Sequence, residues 1–264
     1  LYAGPMARDT LAQDGYEPLE SMITFNMSPD WIAKALLAIY DIFRGLFSSA
    51  GVAVILMTLL VRGLMMPLSI RNQLSMRTYS RKIQKVKPKL TALQAKFGKN
   101  PKKMREEQMK LYRENGIGFP GGCLMMLIQI PIWFALFAAL RQEYTLRGQS
   151  FLWAADLSGP DTLIDFGFCI DLMVTQICGL NLLPILMVTL SIIHTRNMPK
   201  PQDEQSAQQY KMMKWMPIIF AVILYNYTAA LLIYMVISSA FGILEAKIVR
   251  SKDDALKNAE PAAA

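Results

Sequence analysis

Arg62 is a positive charge inside an otherwise apolar run, and its position requires a functional explanation. The run from Ala50 to Ile70 has 21 residues and no other charge. A charge near the centre of a bilayer costs about 2.5–3.5 kcal/mol on insertion scales, so another interaction must offset this cost. Thr58 lies four residues earlier and therefore on the same helix face. The chemistry that this pair offers is recognition of an acidic or polar group.

Catalytic chemistry has little support in the sequence. The single histidine, His194, lies at the end of an apolar run, and neither an HExxH nor a GxSxG motif occurs. We expect no acid beside His194, which would then lack a second partner for general acid–base chemistry. The sequence therefore predicts a protein that is not an enzyme and that binds neither a cofactor nor a metal.

The surroundings of Arg62 leave two alternatives. The polar groups that we assign to the apolar runs are uncharged: Thr58, Gln129, Thr189, Ser191, Asn226, Ser238 and Ser239. Without a buried carboxylate partner, Arg62 either extends to the inner headgroups or faces a water-filled cavity. It lies about eight residues, or some 12 Å, from the inner end of its run, so its side chain reaches only part of the way. We favour a cavity open to the cytoplasm and closed on the outside.

The elements that carry these residues are apolar helices. Of 264 residues, 53% are hydrophobic and 18% charged, which is typical of a membrane protein. The run 215–246 would be about 48 Å long as one helix, too long for a hydrocarbon core of about 30 Å, so we divide it at a turn near 226–230. The sequence thus predicts an all-α membrane protein with five spans, at about 50–70, 119–140, 180–195, 215–228 and 230–246.

Basic residues predict the orientation of these spans. Of the 28 lysines and arginines, 22 lie in the segments 71–117, 196–214 and 245–264, which the positive-inside rule places in the cytoplasm. The outer side then holds an N-terminal segment 1–30 and a loop 141–179. The core runs over 48–250, with a cytoplasmic loop 196–214 and a cytoplasmic tail 251–264. The strongly basic segment 71–117 reflects either topology alone or an acidic partner such as ribosomal RNA or anionic lipid.

Two helical elements are expected outside the spans. Residues 31–47 form an amphipathic helix, with Lys34, Asp41 and Arg44 on one side, which favours a position in the outer interface. Residues 75–115 form an antiparallel helical hairpin in the cytoplasm, because apolar residues recur there every three or four positions and "GKNP" supplies a stop and a start. Pro88 argues against an unbroken first arm and predicts a kink.

The outer segment 163–178 is apolar but carries Asp165 and Asp171. It is either a second surface helix or an extension of the following span. Its two cysteines, Cys169 and Cys178, could form a disulfide in an oxidising compartment, but unpaired thiols are common in membrane proteins and are the preferred interpretation.

Six motifs in order resemble the YidC family of membrane-protein insertases. They are "VRGLMMPL" at 61–68, "KPKL" at 87–90, "EQMKLY" at 107–112, "GGCLMMLIQIPIWFALF" at 121–137, "LPILM" at 183–187 and "KMMKWMPIIF" at 211–220. The resemblance covers residues 31–250. It implies a five-helix core in the bacterial inner membrane and a hydrophilic groove open to cytoplasm and lipid, in which Arg62 matches the family's invariant arginine.

The resemblance also implies site residues and partners. The groove that would bind clients is expected to contain Arg62, Thr58, Gln129, Ile130, Trp133, Tyr234, Met235 and Ser238. Contact of the hairpin with clients or the ribosome is expected at Arg77, Arg81, Lys82, Lys85, Lys102 and Lys103. The expected partners of a monomeric insertase and folding chaperone are nascent membrane proteins, the translating ribosome, lipids and a Sec translocon. The tail is only weakly basic, unlike the long basic tail with which some members contact the ribosome.

A small anion transporter or channel is the alternative from another class. Arg62 could bind an anion, and Pro67, Pro131, Pro184 and Pro217 could break helices around a site. The five spans do not form two repeated halves, which favours the insertase. Crosslinking to nascent apolar segments would distinguish the two.

Overall fold

The computed structural model describes residues 30–97, 100–118, 122–171, 176–198 and 204–259. The expected outer segment 1–30 lies almost wholly outside these residues, as does the end of the tail beyond Ala259. The described chain is mostly helical, as expected. Its α-helices are α1 (Asp30–Phe47), α2 (Ala50–Phe97), α3 (Pro101–Glu114), α4 (Gly122–Gln142), α5 (Leu182–Arg196), α6 (Glu204–Ile223) and α7 (Ala229–Ala259).

Two helices of the described chain are long and apolar enough to cross a membrane by length and composition. They are α2 and the Ala229–Ala255 part of α7. The apolar parts of α4 and α5, Gln129–Leu140 and Leu182–Arg196, are shorter. The 215–246 run contains the end of α6 and the start of α7, with the turn at 224–228. Helix α6 begins before the apolar run 215–246 and includes the charged Lys211 and Lys214. Its sequence is therefore less apolar than the run itself.

Helix α2 joins the first apolar run and the first arm of the hairpin in 48 continuous residues. The argument against an unbroken first arm is wrong, because the helix runs continuously through Pro88, while the kink expected there stays a prediction. Pro88 is exposed, whereas Val86 and Leu90 on either side are buried. The carbonyl of Gln84 that proline leaves without a helical donor can therefore be solvated, which reduces the cost of proline inside a helix.

Helix α3 returns along the end of α2 as the second arm of the hairpin. Asn100 caps α3 by accepting a hydrogen bond from Lys103 N at 3.4 Å, and Pro101 takes the first helical position. Gly116 follows the end of α3 and has a φ of +59°, a value that glycine tolerates and that does not continue a helix. A small hydrophobic cluster between the arms consists of Ile83, Val86, Leu90, Leu111 and Ile117.

The main core lies at the other end of the helices, away from the hairpin. There, one face of α1 forms a hydrophobic core together with the start of α2, the end of α4 and the starts of α5 and α7. Gly51 allows a close approach, because a Cβ at this position would lie 2.1 Å from the Phe151 ring. The loop 143–161 closes this end, since its Leu157 and Gly159 carbonyls accept hydrogen bonds from the first N–H groups of α7 at 3.1 and 2.7 Å.

Helix α1 is amphipathic, but its exposed face is not purely polar. Ala33, Leu36, Leu37 and Tyr40 are buried against the core. Burial raises the pKa of Tyr40, whose hydroxyl is 3.3 Å from Thr145 Oγ1. Several large apolar residues of α1 are more than half exposed, namely Trp31, Ile42, Leu46 and Phe47. Such a surface is suited to an interface between lipid and water.

The segment before α5 is a β-hairpin, which corrects both helical alternatives and the all-α fold class. Strand β1 (Thr162–Asp171) pairs with β2 (Gln176–Asn181) in antiparallel register. A disulfide joins Cys169 to Cys178, so the preference for unpaired thiols is wrong. The physical reason is local: alternating β-branched and aromatic residues favour a strand, and "IDFGFCI" alternates apolar and small or polar residues every second position. Large apolar residues of β1, among them Phe168 and Ile164, are exposed.

Candidate functional site

Arg62 lies half-buried in α2, seven residues before Ser69 on the same helix face. Its Nε is buried and has no hydrogen-bond partner. Among the described residues, no carboxylate oxygen lies within the 4 Å that defines an ion pair with this guanidinium. The charge is thus held in the protein without direct pairing, and a polar ligand would find an unsatisfied donor there.

A buried carboxylate nevertheless lies near Arg62, and sequence reasoning missed it. Glu245 of α7 is 3% exposed and acts electrostatically with Arg62. The expectation that the spans hold only uncharged polar groups is therefore wrong. The signal was present in the sequence, because Glu245 is the second-last residue of the predicted span 230–246.

Glu245 is held by two residues of α2. Its Oε2 accepts hydrogen bonds from Ser69 Oγ at 2.6 Å and from Gln73 Nε2 at 3.3 Å. Gln73 Nε2 also donates to Ser69 Oγ at 3.2 Å. The four-residue spacing of Ser69 and Gln73 puts both on the face of α2 that packs against α7.

His194 of α5 belongs to the same region. A Cβ at Gly242 of α7 would lie 3.0 Å from His194 Nε2, so the imidazole packs directly on this helix where it lacks a side chain. Arg62 also acts electrostatically on His194. His194 is half-buried between helices, and is not an isolated surface residue. We call Arg62, Ser69, Gln73, His194 and Glu245 the polar seam.

The expected groove residues of α2 and α7 occupy packed positions. Thr58 is fully buried, and its hydroxyl donates to the Val54 carbonyl of its own helix at 2.6 Å. Tyr234 is 3% exposed and belongs to the core. Met235 is partly buried and packs against the same core. Ser238 is buried, and its Oγ has no hydrogen-bond partner. Of these residues, only Ser238 offers an unsatisfied polar atom.

The expected groove residues of α4 differ in their surroundings. Trp133 is half-buried in a ring cluster, with its centroid 5.4 Å from that of Phe220 in α6. Gln129 is half-buried, and Ile130 is 40% exposed. The structure thus brings Arg62 together with Glu245 and His194, whereas the other expected residues are distributed between the core and the surface.

The six basic residues expected to bind clients or the ribosome fall into two groups. Arg81 and Arg77 pair with the buried Asp253 of α7 at 2.8 and 3.8 Å, and Arg77 also donates to the Asn197 carbonyl at 3.4 Å. Lys82 donates to the Gly116 carbonyl at 2.8 Å. The other three of the six, Lys85, Lys102 and Lys103, are exposed on the hairpin.

A separate cavity of about 530 Å³ lies at the closed end of the helices, lined by the loop 143–161 and the turn 226–228. Desolvation raises the pKa of Asp156 in its wall, but hydrogen bonds from Ser158 and Gly148 outweigh it and leave the pKa below its usual value. None of the expected groove residues lines this cavity, and within the described ranges no cluster of three metal-ligating residues occurs.

Comparison with known proteins gives one consistent result. The profile of the family described as "60Kd inner membrane protein" matches residues 42–256. The Membrane protein insertase YidC of Syntrophobacter fumaroxidans is 34% identical over 246 residues, which are 93% of this chain and 42% of that protein. The Membrane protein insertase YidC of Treponema denticola is 31% identical over 221 residues, 83% of this chain and 37% of that protein.

A solved structure agrees with these relatives. The crystal structure titled "Active YidC insertase crystal structure with the first transmembrane domain resolved" is similar with a TM-score of 0.53 and 26% identity. The similarity covers 81% of this chain and 45% of that one. The chain thus spans about two fifths of the length of the curated relatives it matches.

Proposed function

The chain belongs to the 60Kd inner membrane protein family, and from this premise we propose that it is a membrane protein insertase and folding chaperone. The named activity of its YidC relatives supports the proposal. The structural observation that carries it is Arg62, a half-buried guanidinium with an unsatisfied Nε in a helix apolar enough to cross a membrane. A charge at such a position is costly and usually functional.

The proposed site is a hydrophilic groove that opens to the cytoplasm and to lipid. Arg62 would attract an acidic or polar group of the client, which then enters the bilayer region without losing its whole hydration. The apolar segment of the client moves along the helices into lipid, and its transfer from water stabilises the inserted state. The further groove residues of this proposal are Thr58, Gln129, Ile130, Trp133, Tyr234, Met235 and Ser238.

The proposed topology has five spans, with the described N-terminal helix α1 at the outer surface and the C-terminal tail in the cytoplasm. The hairpin of α2 and α3 then lies in the cytoplasm and carries most of the basic residues. The β-hairpin and the loop 143–161 lie outside. The distribution of lysine and arginine supports this orientation.

The proposed partners follow from this arrangement. Nascent membrane proteins are the clients, and the exposed Lys85, Lys102 and Lys103 are suited to contact acidic groups of the ribosome or the client. A Sec translocon and membrane lipids complete the set, and the protein works as a monomer. Burial of apolar client surface in lipid supplies enough free energy that the proposal needs no enzymatic step, cofactor or nucleotide.

The test is insertion of a short single-span client into liposomes that contain the purified protein. We expect Arg62→Ala and Arg62→Glu to reduce insertion by about tenfold or more, which corresponds to losing about 1.4 kcal/mol or more of interaction. Arg71→Ala is the matched control, because it removes an exposed arginine of the same helix and should leave insertion unchanged.

Protease protection of the client measures the inserted fraction, and crosslinking measures binding separately. Variants that still bind but no longer insert the client would support the charged groove. If the wild type inserts no more client than empty liposomes do, the insertase proposal fails, and anion flux through the same liposomes should be measured next.

A further inference from the structure

Glu245 lies, along the axis of α2, between Arg62 and the helical hairpin. It contacts Ser69, which follows Arg62 by seven residues and therefore lies about 10 Å closer to the hairpin along α2. In the proposed orientation, the hairpin is cytoplasmic. A client group that approaches Arg62 from the cytoplasm thus passes the level of Glu245 first.

The contacts of Glu245 hold its carboxyl group in place. The residue is 3% exposed, and two side chains of the facing helix donate to one of its oxygens, at 2.6 and 3.3 Å. Both hydrogen-bond donors are neutral, so no cation in direct contact neutralises the negative charge of the carboxylate. Its electrostatic partner is Arg62, which in turn has no direct anionic contact among the described side chains.

Two opposite charges that are close but not in contact modify each other's action on a third charge. Arg62 attracts an acidic client group, and Glu245 repels it across the same low-dielectric region. The net potential at a client group is then smaller than that of Arg62 alone, so an acidic group is attracted less strongly and its advantage over a neutral or basic group is reduced.

We propose that Glu245 is a specificity-determining residue of the groove, which weakens the preference of Arg62 for acidic client segments and so widens the range of clients. This inference rests on the proposed function. Ser69 and Gln73 position the Glu245 carboxyl, and the close packing of His194 on Gly242 keeps α5 against α7 at the same level.

The experiment uses two clients that differ in one residue before the apolar segment, aspartate in one and asparagine in the other. Both are inserted into liposomes that contain the full chain, and the measured quantity is the ratio of their inserted fractions. We expect Glu245→Gln to raise the aspartate-to-asparagine ratio about three- to tenfold. The substitution removes a negative charge that lies about 10 Å, along the helix axis, from a client aspartate held at Arg62. Glu245→Met, a second neutral variant of similar size, should give the same rise.

Two control variants separate charge from structure. Ser69→Ala removes a hydrogen bond to Glu245 but keeps its charge, and it should leave the client ratio unchanged even if it reduces total insertion. Combining Arg62→Gln with Glu245→Gln should remove most of the rise, because the two residues act on the same client charge.

The outcomes distinguish this inference from the proposed function. If the wild type inserts neither client, the proposed function itself fails. If the wild type inserts both clients and the neutral variants keep the wild-type ratio, or lower both clients in equal proportion, Glu245 has only a structural role and the inference is overturned.

Discussion

Arg62 and Glu245 are each costly to bury, and each reduces the cost of the other. Neither forms a direct ion pair with the other, so the pair keeps part of its hydrogen-bonding capacity for a third group. A closed salt bridge would lower the burial cost further, but it would remove the unsatisfied donor on which the proposed role of Arg62 rests. At the scale of the residue, the proposed site thus combines two charges that are not in direct contact.

Gly51 gives a stability prediction at this same scale. A Cβ here would lie 2.1–2.6 Å from three atoms of the Phe151 ring, so the ring must move out of the closed end of the core. We expect Gly51→Ala to lower the free energy of unfolding by about 1–3 kcal/mol, as overpacking does. Thermal unfolding in detergent measures the change.

Gly63→Ala is the matched control for this substitution. It lies in the same helix, and a Cβ there would meet nothing within 4 Å. Because alanine is the better helix former, this variant should be unchanged or up to about 1 kcal/mol more stable. A Gly51→Ala variant as stable as the Gly63→Ala variant would show that Phe151 does not limit the packing.

At the scale of the element, α7 supports the hairpin end of α2. Asp253 is 3% exposed and pairs with Arg77 and Arg81, four residues apart on α2. The same two helices meet at Glu245, about two turns earlier along α7. Since α3 packs on the end of α2 through a small hydrophobic cluster and the hydrogen bond from Lys82 to the Gly116 carbonyl, the contact between α2 and α7 is the larger support of this end of α2.

Asp253→Asn tests this support. The substitution leaves Arg77 and Arg81 with a neutral partner, so we expect a loss of about 1–3 kcal/mol in local stability, the usual range for a buried hydrogen bond to a charged group. Hydrogen exchange of the backbone over residues 247–259 should become faster. Lys252→Gln, at an exposed charged residue of the same helix, is the control, and equal exchange in both variants would contradict the role of Asp253.

The β-hairpin is an element stabilised by its disulfide and its base. Tyr225 Oη donates to the Gly179 carbonyl at 2.9 Å, and Asn181 Nδ2 donates to the Tyr225 carbonyl at 2.7 Å. Both bonds lie at the base near α5, whereas the Cys169–Cys178 bridge lies towards the tip. A two-stranded hairpin alone is marginally stable, so the part near the tip depends most on the bridge.

Replacing both cysteines by serine should destabilise the hairpin locally. The bridge closes a loop of about ten residues, for which the chain-entropy estimate is about 2–3 kcal/mol. We expect faster hydrogen exchange in β1 and β2 and unchanged exchange in α2 and α7. Loss of protection throughout the helices would contradict this local role, and a Cys123→Ser variant controls for the removal of a thiol.

At the scale of the whole molecule, the two ends of the described structure differ. The core, the loop 143–161 and the β-hairpin lie at one end, and the polar seam and the helical hairpin lie towards the other. Large apolar side chains remain exposed along the helices between the ends, among them Leu64, Ile185, Trp215 and Leu244. Exposure of this extent is expected of surfaces that face lipid.

The proposed five-span topology can be tested with single cysteines in a chain from which the native ones are removed. We expect Lys102→Cys and Asp254→Cys to react with a membrane-impermeant maleimide from the cytoplasmic side only, and Asp165→Cys from the outer side only. With four spans, Asp254→Cys would react from the side opposite to Lys102→Cys. Labelling of intact and permeabilised cells distinguishes the two results.

The sequence by itself determined the membrane class and the helical character, and it singled out Arg62 for the role that we propose. These follow from local properties, because an apolar run, a lone charge and the order of the six motifs can be read without knowing which helices meet. The start of α3 at Asn100-Pro101 and its stop at Gly116 were likewise local, since a cap needs only the residues beside it.

Only the tertiary structure decided which residues surround Arg62 and which basic residues remain exposed. Ser69 and Glu245 are 176 residues apart in the chain, and Arg81 and Asp253 are 172 apart, so no periodicity relates them. The state of Cys169 and Cys178 was decided in the same way, because a bridge forms only where the two paired strands bring the two side chains together. Electrostatic and pairing energies depend on separation in space, and the fold alone sets that separation.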